Sequence, residues 1–282
     1  MFTSRVRQCF VLVLTATAFA CGGCNTLTDL LGGQPTAKLT GARLADADLQ
    51  AADLVLDLEV TNPYAAAIPL ADVDYDLSSS GKQLLSGTSD LGASIPARSS
   101  KTLQVPVRLV YADLLSALSV VTPGQLMPYE AAVALKIPMP AGGSVPFNLR
   151  REGKLPIPTA PGVQVESLTW KKLTMTEASG TARLNITNRN QFPVDLSSLK
   201  YAMSLAGVEV ADSTLTKDVA FQPGQTKQIE LPLRFSPVKL GTSAAAILQG
   251  GKLDYSLDGR MNALTDYGRI TLPLDTGGTM RQ

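Results

Sequence analysis

The chain has 282 residues, with 25 Lys and Arg against 24 Asp and Glu, a formal net charge of +1, and no histidine. Without histidine there is no Ser-His-Asp or Cys-His machinery, and a zinc site would rest on Cys or carboxylates alone. The charge balance leaves no electrostatic footprint for nucleic acid or for an anionic membrane surface. Hydrophobic residues make up 45% but aromatics only 5%, so the chain reads as globular with cores of Leu, Val, Ile and Ala.

The first residues read as an address. Arg5 and Arg7 form a positive segment, and Cys9 to Ala20 is an apolar run too short to span a bilayer. It ends in Thr17-Ala18-Phe19-Ala20-Cys21-Gly22-Gly23-Cys24, small residues before a cysteine, which resembles a bacterial lipobox. That resemblance implies a signal peptide over 1–20 and lipidation of Cys21, with Cys24 the alternative, and outer-membrane sorting suited by Gly22. An ordinary secretory peptide is the other reading. All three cysteines lie within the first 24 residues, so the rest of the chain has no disulfide, thiol nucleophile or cysteine metal site. Residues 21–35 form a short tether, with Gly32-Gly33 closing any helical turn.

Beyond the tether the chain is written twice. Asn188 follows Asn62 by 126 positions (188 − 62), and the pairs Tyr75 and Tyr201, Gly81 and Gly207, Pro106 and Pro232, and Arg108 and Arg234 keep that spacing. Two domains of roughly 120 residues follow, each a usual size for an independent core. The first spans 36–158, a Pro-rich linker 159–164, the second domain 165–275 and a loose tail 276–282. The prolines from Pro156 to Pro161 predict an extended spacer that holds the domains close without fusing them.

In the first copy, Ala37 to Leu49 predicts an edge strand and turn. Leu54, Leu56, Leu58 and Val60 alternate with polar residues, the period of a half-buried strand. Asn62 and Pro63 end it as a turn, the Asn bonding its own backbone; contact with a ligand is the other reading for Asn62 and Asn188. Val73, Tyr75 and Leu77 give the next strand, Gly81 a hairpin, and Leu103 to Leu109 a strand whose Pro106 demands an edge or a bulge. Leu114, Leu115, Leu118 and Val121 fall at helical spacing within Tyr111 to Val121, stopped by Pro123-Gly124. Strands resume at Tyr129 to Ile137 and from Val145 to Leu155.

The second copy repeats this order. Strands are expected at Leu184–Thr187, Leu199–Leu205 and Gln228–Phe235, and a helix at Val238–Leu248. Asn188 is the second turn. A closing hairpin lies between Leu253 and Leu274, where Gly268-Arg269-Ile270 matches Gly153-Lys154-Leu155 at an offset of 115 (268 − 153). That match predicts a loss of about eleven residues in this hairpin. The fold class is therefore mainly β: two tandem immunoglobulin- or fibronectin-like β-sandwiches, each with one short α-helix.

The order Thr61-Asn62-Pro63-Tyr64, Pro69-Leu70, Tyr75, Gly81, Ile95-Pro96-Ala97 and Leu103 to Val107 resembles the group-2 late embryogenesis abundant family, also called the water-stress and hypersensitive-response (WHy) domain. Thr187-Asn188-Arg189-Asn190, Phe192-Pro193-Val194, Tyr201, Gly207, Pro223-Gly224 and Leu231-Pro232-Leu233 repeat it without a Pro after Asn188. The resemblance implies a folded sandwich linked to desiccation or other stress, and supplies no catalytic residues.

Candidate sites are few. Asp72, Asp74 and Asp76 look like the opening of a calcium loop, but Leu77 stands where such a loop needs Gly and Gln83 where it needs Glu. Alternation places the three on one solvated face. Arg108 and Arg234 point outward at equivalent positions, as a grip for an anionic headgroup or as ordinary solvated charge. No catalytic, cofactor or metal residues emerge. The expectation is a non-enzymatic envelope lipoprotein facing the periplasm, with the membrane as partner through its lipid anchor, protein clients or lipid as further partners, and no nucleic acid. The alternatives are a carrier of lipid or another apolar ligand in an apolar gap under the helix, and an envelope scaffold that adds a partner strand to an exposed edge.

Overall fold

The computed structural model describes residues 33–117, 122–140, 142–241 and 251–281. The first copy runs β1 (Thr36–Ala47), β2 (Ala51–Asn62), β3 (Ile68–Ser79), β4 (Lys82–Ile95), β5 (Ser99–Val110), α1 (Tyr111–Ala117), β6 (Leu126–Pro138) and β7 (Ser144–Pro156). The second runs β8 (Gly162–Leu173), β9 (Ala178–Thr187), β10 (Val194–Leu205), β11 (Val208–Phe221), β12 (Thr226–Phe235), a 3-10 turn (Pro237–Leu240), β13 (Lys252–Thr265), β14 (Gly268–Pro273) and β15 (Thr276–Arg281). Each copy stacks a three-stranded sheet on a larger one: β1-β2-β5 on β4-β3-β6-β7, and β8-β9-β12 on β11-β10-β13 with β14 and β15.

The alternation read in the sequence places the core. Leu54, Leu56, Leu58 and Val60 are buried, as are Leu103, Val105, Val107 and Leu109, and the residues between them face outward. Each buried aliphatic side chain of this size contributes about 1.5–3 kcal/mol. Pro106 and Pro232 lie on β5 and β12, the outermost strands of their three-stranded sheets, where a missing N–H costs no ladder bond. The hairpin at Gly81 is a tight two-residue turn with Ser80 and Gly81 both at positive φ (50° and 77°), repeated by Ala206 and Gly207 at 50° and 77°. Such turns match the twist of the strands they join.

The domains are fused, against the expectation of a spacer. β1, expected as an edge strand, is outermost in its own sheet, but β14 lies parallel along its free side through Leu44 and Gly268. The Leu44 N–H donates to the Tyr267 carbonyl at 3.3 Å. Eight strands thus form one sheet across both copies, and one hydrophobic cluster runs through them. Gly268 makes the approach possible: an added Cβ would sit 2.2 Å from the Leu44 carbonyl oxygen, and its φ is +144°.

The linker is likewise stitched in. Pro156, Ile157, Pro158, Pro161 and Gly162 are buried. Ile157 donates to the Gln125 carbonyl at 2.9 Å, Gly124 donates to the Ile157 carbonyl at 2.6 Å, and Gln191 donates to the Gly124 carbonyl at 2.7 Å. Proline excludes a ladder bond but not burial, so a Pro-rich run can be wall as well as spacer. β8 already starts at Gly162, inside the expected linker.

The end of the chain differs too. Residues 276–281, expected as a tail, form β15 and pair with β13 from Lys252↔Arg281 to Leu257↔Thr276. β14 continues the same register from Arg260↔Pro273 to Thr265↔Gly268. Together they take the place of β7, which pairs with β6 from Leu126↔Pro156 to Pro138↔Ser144. The hairpin has not lost eleven residues. Gly278, not Gly268, stands opposite Tyr255 as Gly153 stands opposite Tyr129, and Gly153 clears room for the facing ring, which an added Cβ would meet at 2.6 Å. The helix expected to Val121 is described to Ala117. Of the helix expected over 238–248, a 3-10 turn to Leu240 is described, and 242–250 lie outside the described residues. The signal segment, Cys21 and Cys24 also lie outside them.

Candidate functional site: asparagine locks and charged clefts

Asn62, at the end of β2, is buried. Its Nδ2 donates to the carbonyls of Ala66 (2.8 Å), Ile95 (3.1 Å) and Pro96 (2.9 Å), and its Oδ1 accepts from the Tyr64 N–H at 2.9 Å. Asn188 repeats every contact 126 positions on: Nδ2 to the carbonyls of Phe192 (2.9 Å), Phe221 (3.3 Å) and Gln222 (3.4 Å), and Oδ1 from the Asn190 N–H (2.9 Å). The loops after β2 and after β4 are where the chain crosses between sheets. One amide holds both, so it is more than the local turn cap read in the sequence. Pro63 has no counterpart in the second copy, where Arg189 stands, and the lock does not need it.

Asn190, given no role in the sequence reading, takes the position of Tyr64 and is buried. Its Oδ1 accepts from the Thr159 N–H at 2.8 Å and its Nδ2 donates to Asn188 Oδ1 at 3.0 Å. The second lock is thereby wired to the linker. The only signal for this was a third Asn within three residues of Asn188.

An open cleft of about 1030 Å³ lies where the β1–β2 turn meets the second copy's sheet. Six aspartates (Asp46, Asp48, Asp53, Asp212, Asp258 and Asp275) and three cations (Arg108, Lys200 and Arg260) line it. Arg108, read as outward-facing, holds both oxygens of Asp53 at 2.9 Å across the β2–β5 pair. Both are exposed, so the pair is worth about 0–1 kcal/mol. Tyr111 lies buried near this turn and donates from its hydroxyl to the Pro156 carbonyl at 3.0 Å. Burial pushes the Tyr111 phenol far above its ordinary pKa, and Asp48 and Asp53 push it further. Tyr111 and Leu114 fill the described end of the apolar gap expected under the helix.

Arg234, the counterpart of Arg108, faces Ser179 instead of a carboxylate. It lines a second cleft of about 750 Å³ with Lys171 and Lys172. A third, of about 480 Å³, lies on β3, β4, β6 and β7 and includes Asp74, Asp76 and Arg150. Asp74 accepts from Thr88 and Asp76 from Gln83, both neutral donors. Asp72, Asp74 and Asp76 follow one strand rather than converge, and no set of three or more potential ligands that could hold a metal occurs among the described residues.

A family model, the late embryogenesis abundant protein family LEA_2, matches residues 57–153 and 183–278, once per copy. The chain is similar to a desiccation protectant protein Lea14 homolog of Glycine max, 28% identical over 126 residues, which is 45% of this chain and 83% of the relative. It is similar over the same shares, at 27% identity, to the late embryogenesis abundant protein Lea14-A of Gossypium hirsutum. A probable desiccation-related protein LEA14 of Arabidopsis thaliana is 25% identical over 126 residues, again 45% and 83%.

Replacing Asn62 with Ala orphans three carbonyls and one N–H in a dry site. The expected cost is about 2–3 kcal/mol, read as a lower urea midpoint. Asn188→Ala should cost as much or more, because it also strands Asn190, and should raise protease sensitivity at the linker. Equal stability of both variants and the parent would refute the lock.

Proposed function

Because the chain belongs to the late embryogenesis abundant family LEA_2, we propose that it is a non-enzymatic stress-protection protein that acts during water loss. The observation carrying this reading is the family match in both copies, together with relatives described as a desiccation protectant and as desiccation-related. The fold supplies a physical means. Each sandwich closes on an aliphatic core and turns rows of Ser, Thr, Asp and Lys outward along β4 and β11. Such rows offer hydrogen bonds to a neighbouring surface as its water leaves. A net charge of +1 keeps long-range repulsion from opposing that approach.

In this proposal the protein is an envelope lipoprotein. The lipobox-like segment supports acylation of Cys21, or of Cys24, and two acyl chains would hold it stably to the outer membrane, facing the periplasm. Mass spectrometry of the membrane-extracted chain should find its first residue to be a diacylated Cys21; an unmodified N-terminus would refute the anchor.

The protective role is tested on residues 33–282, which hold both copies. A drying-sensitive enzyme is desiccated and rehydrated with this protein or with an equal mass of an unrelated two-domain β-sandwich. Distinctly better survival with this protein is expected; equal survival would overturn the reading.

A further inference from the structure

The contact that joins the two copies is heterologous, and each side of it exists twice. One side is the head of the first copy: the turn between β1 and β2, closed by Asp48 N–H to the Ala51 carbonyl at 3.0 Å. The turn between β8 and β9 repeats it 126 positions on, with Thr174 N–H to the Glu177 carbonyl at 2.9 Å. The bulge that bends β1 between Leu44 and Asp46, beside Gly268, recurs in β8 between Trp170 and Lys172. β1 is covered there by β14. β8 is the outermost strand of its sheet.

The other side is the face of the second copy that receives this head, where Lys200, Tyr201, Ala202 and Asp212 line the interdomain cleft. Their counterparts, Asp74, Tyr75, Asp76 and Ser86, line the third cleft on the first copy. Beside it β7, in the place of β14, is an outermost strand. Both halves of the internal joint thus recur, and among the described residues no strand pairs along the free side of either recurrence.

The charges of head and face differ between the inner joint and the outer sites. Inside the molecule Asp46, Asp48 and Asp53 on the head and Asp212, Asp258 and Asp275 on the receiving face outnumber Arg108, Lys200 and Arg260 in one cleft. At the outer head Lys172 replaces Asp46, beside Lys171 and Arg234; Glu177 pairs with Lys172 and Asp212 lies in the same cleft, which leaves the head net positive. At the outer face Asp74 replaces Lys200 and Asp76 replaces Ala202, with Arg150 in the same cleft, which leaves the face net negative. The outer head therefore suits the outer face of another copy.

We propose that copies of this chain associate head to tail, the β8–β9 end of one seating on the β3–β6–β7 face of the next, as the first copy seats on the second. A heterologous contact of this kind does not saturate at two and grows chains or rings. The internal joint benefits from the high effective concentration given by its linker, which the external one lacks. Association is thus weak in dilute solution and rises as protein is concentrated, as it is on drying. It follows from the internal repeat and stands whether or not the protein protects other proteins.

The test is sedimentation equilibrium of residues 33–282 across a concentration series at low and high salt. The weight-average mass should climb past that of a dimer, and less so at high salt, which screens exposed charge. Lys171→Glu with Lys172→Glu, and separately Asp74→Lys with Asp76→Lys, should each raise the apparent Kd by about tenfold or more. The sites are on the surface, and circular dichroism checks that both variants fold. Mixing the two should restore association, since each then meets an opposite partner. A monomer at every concentration, a mass that levels at a dimer, or reversals without effect would each overturn the proposal.

Discussion

Everything in this molecule hangs on a primary amide buried at the end of a strand. A two-sheet sandwich must carry its chain from one sheet to the other, and the crossing loops bring carbonyl groups into a dry interior. Asn62 and Asn188 meet that demand with a side chain that donates and accepts at once. Asp could not donate to the carbonyls, and Ser could not reach the loop after β4 while accepting from the loop after β2. The amide fixes where β2 ends, how β3 departs and how the chain returns into β5. The positions of the flanking sheets, and so of the clefts between them, follow from that.

The same constraint explains what could be read from the residues. The turn-capping half of the lock, the tight turns at Gly81 and Gly207, the edge prolines and the strand alternation are local, and copying them at a fixed spacing made them visible twice; the bonds from Asn62 to the carbonyls of Ile95 and Pro96 are not local and were not read. Leu44 and Gly268 are not local. Nothing near Gly268 says that its missing Cβ serves a carbonyl more than two hundred positions earlier. The buried linker was misread because proline marks the absence of an N–H, which is compatible with a spacer and with a packed wall. The closing hairpin was misread because Gly268-Arg269-Ile270 imitates Gly153-Lys154-Leu155 in type, while pairing alone shows that Gly278 is the residue facing the tyrosine. Asn190 was missed because it takes the place of Tyr64, and a polar residue in an aromatic position gives no sequence signal until the linker beside it is seen. Of the site, Arg108 and Arg234 were legible as equivalents; that Arg234 faces Ser179 across the strands needed the β9–β12 register.

These features define a folded body rather than a chain that waits for a partner. One sheet spans both copies, one apolar cluster runs through them, and the linker is hydrogen-bonded on both sides. Its polar surface is in place before any water is lost. That separates this protein physically from segments too poor in apolar residues to fold in water. It also means that the net positive and net negative charges at its two outer sites are held at fixed positions rather than averaged over an ensemble.

The central claim is that the working state is this sandwich, unchanged by drying. Infrared spectroscopy of residues 33–282 in solution, dried to a film and rehydrated, reads it directly in the amide I band. The account predicts the same native β-sheet band in all three states. Conversion on drying to helix, or to the displaced band of intermolecular β-aggregate, would contradict it.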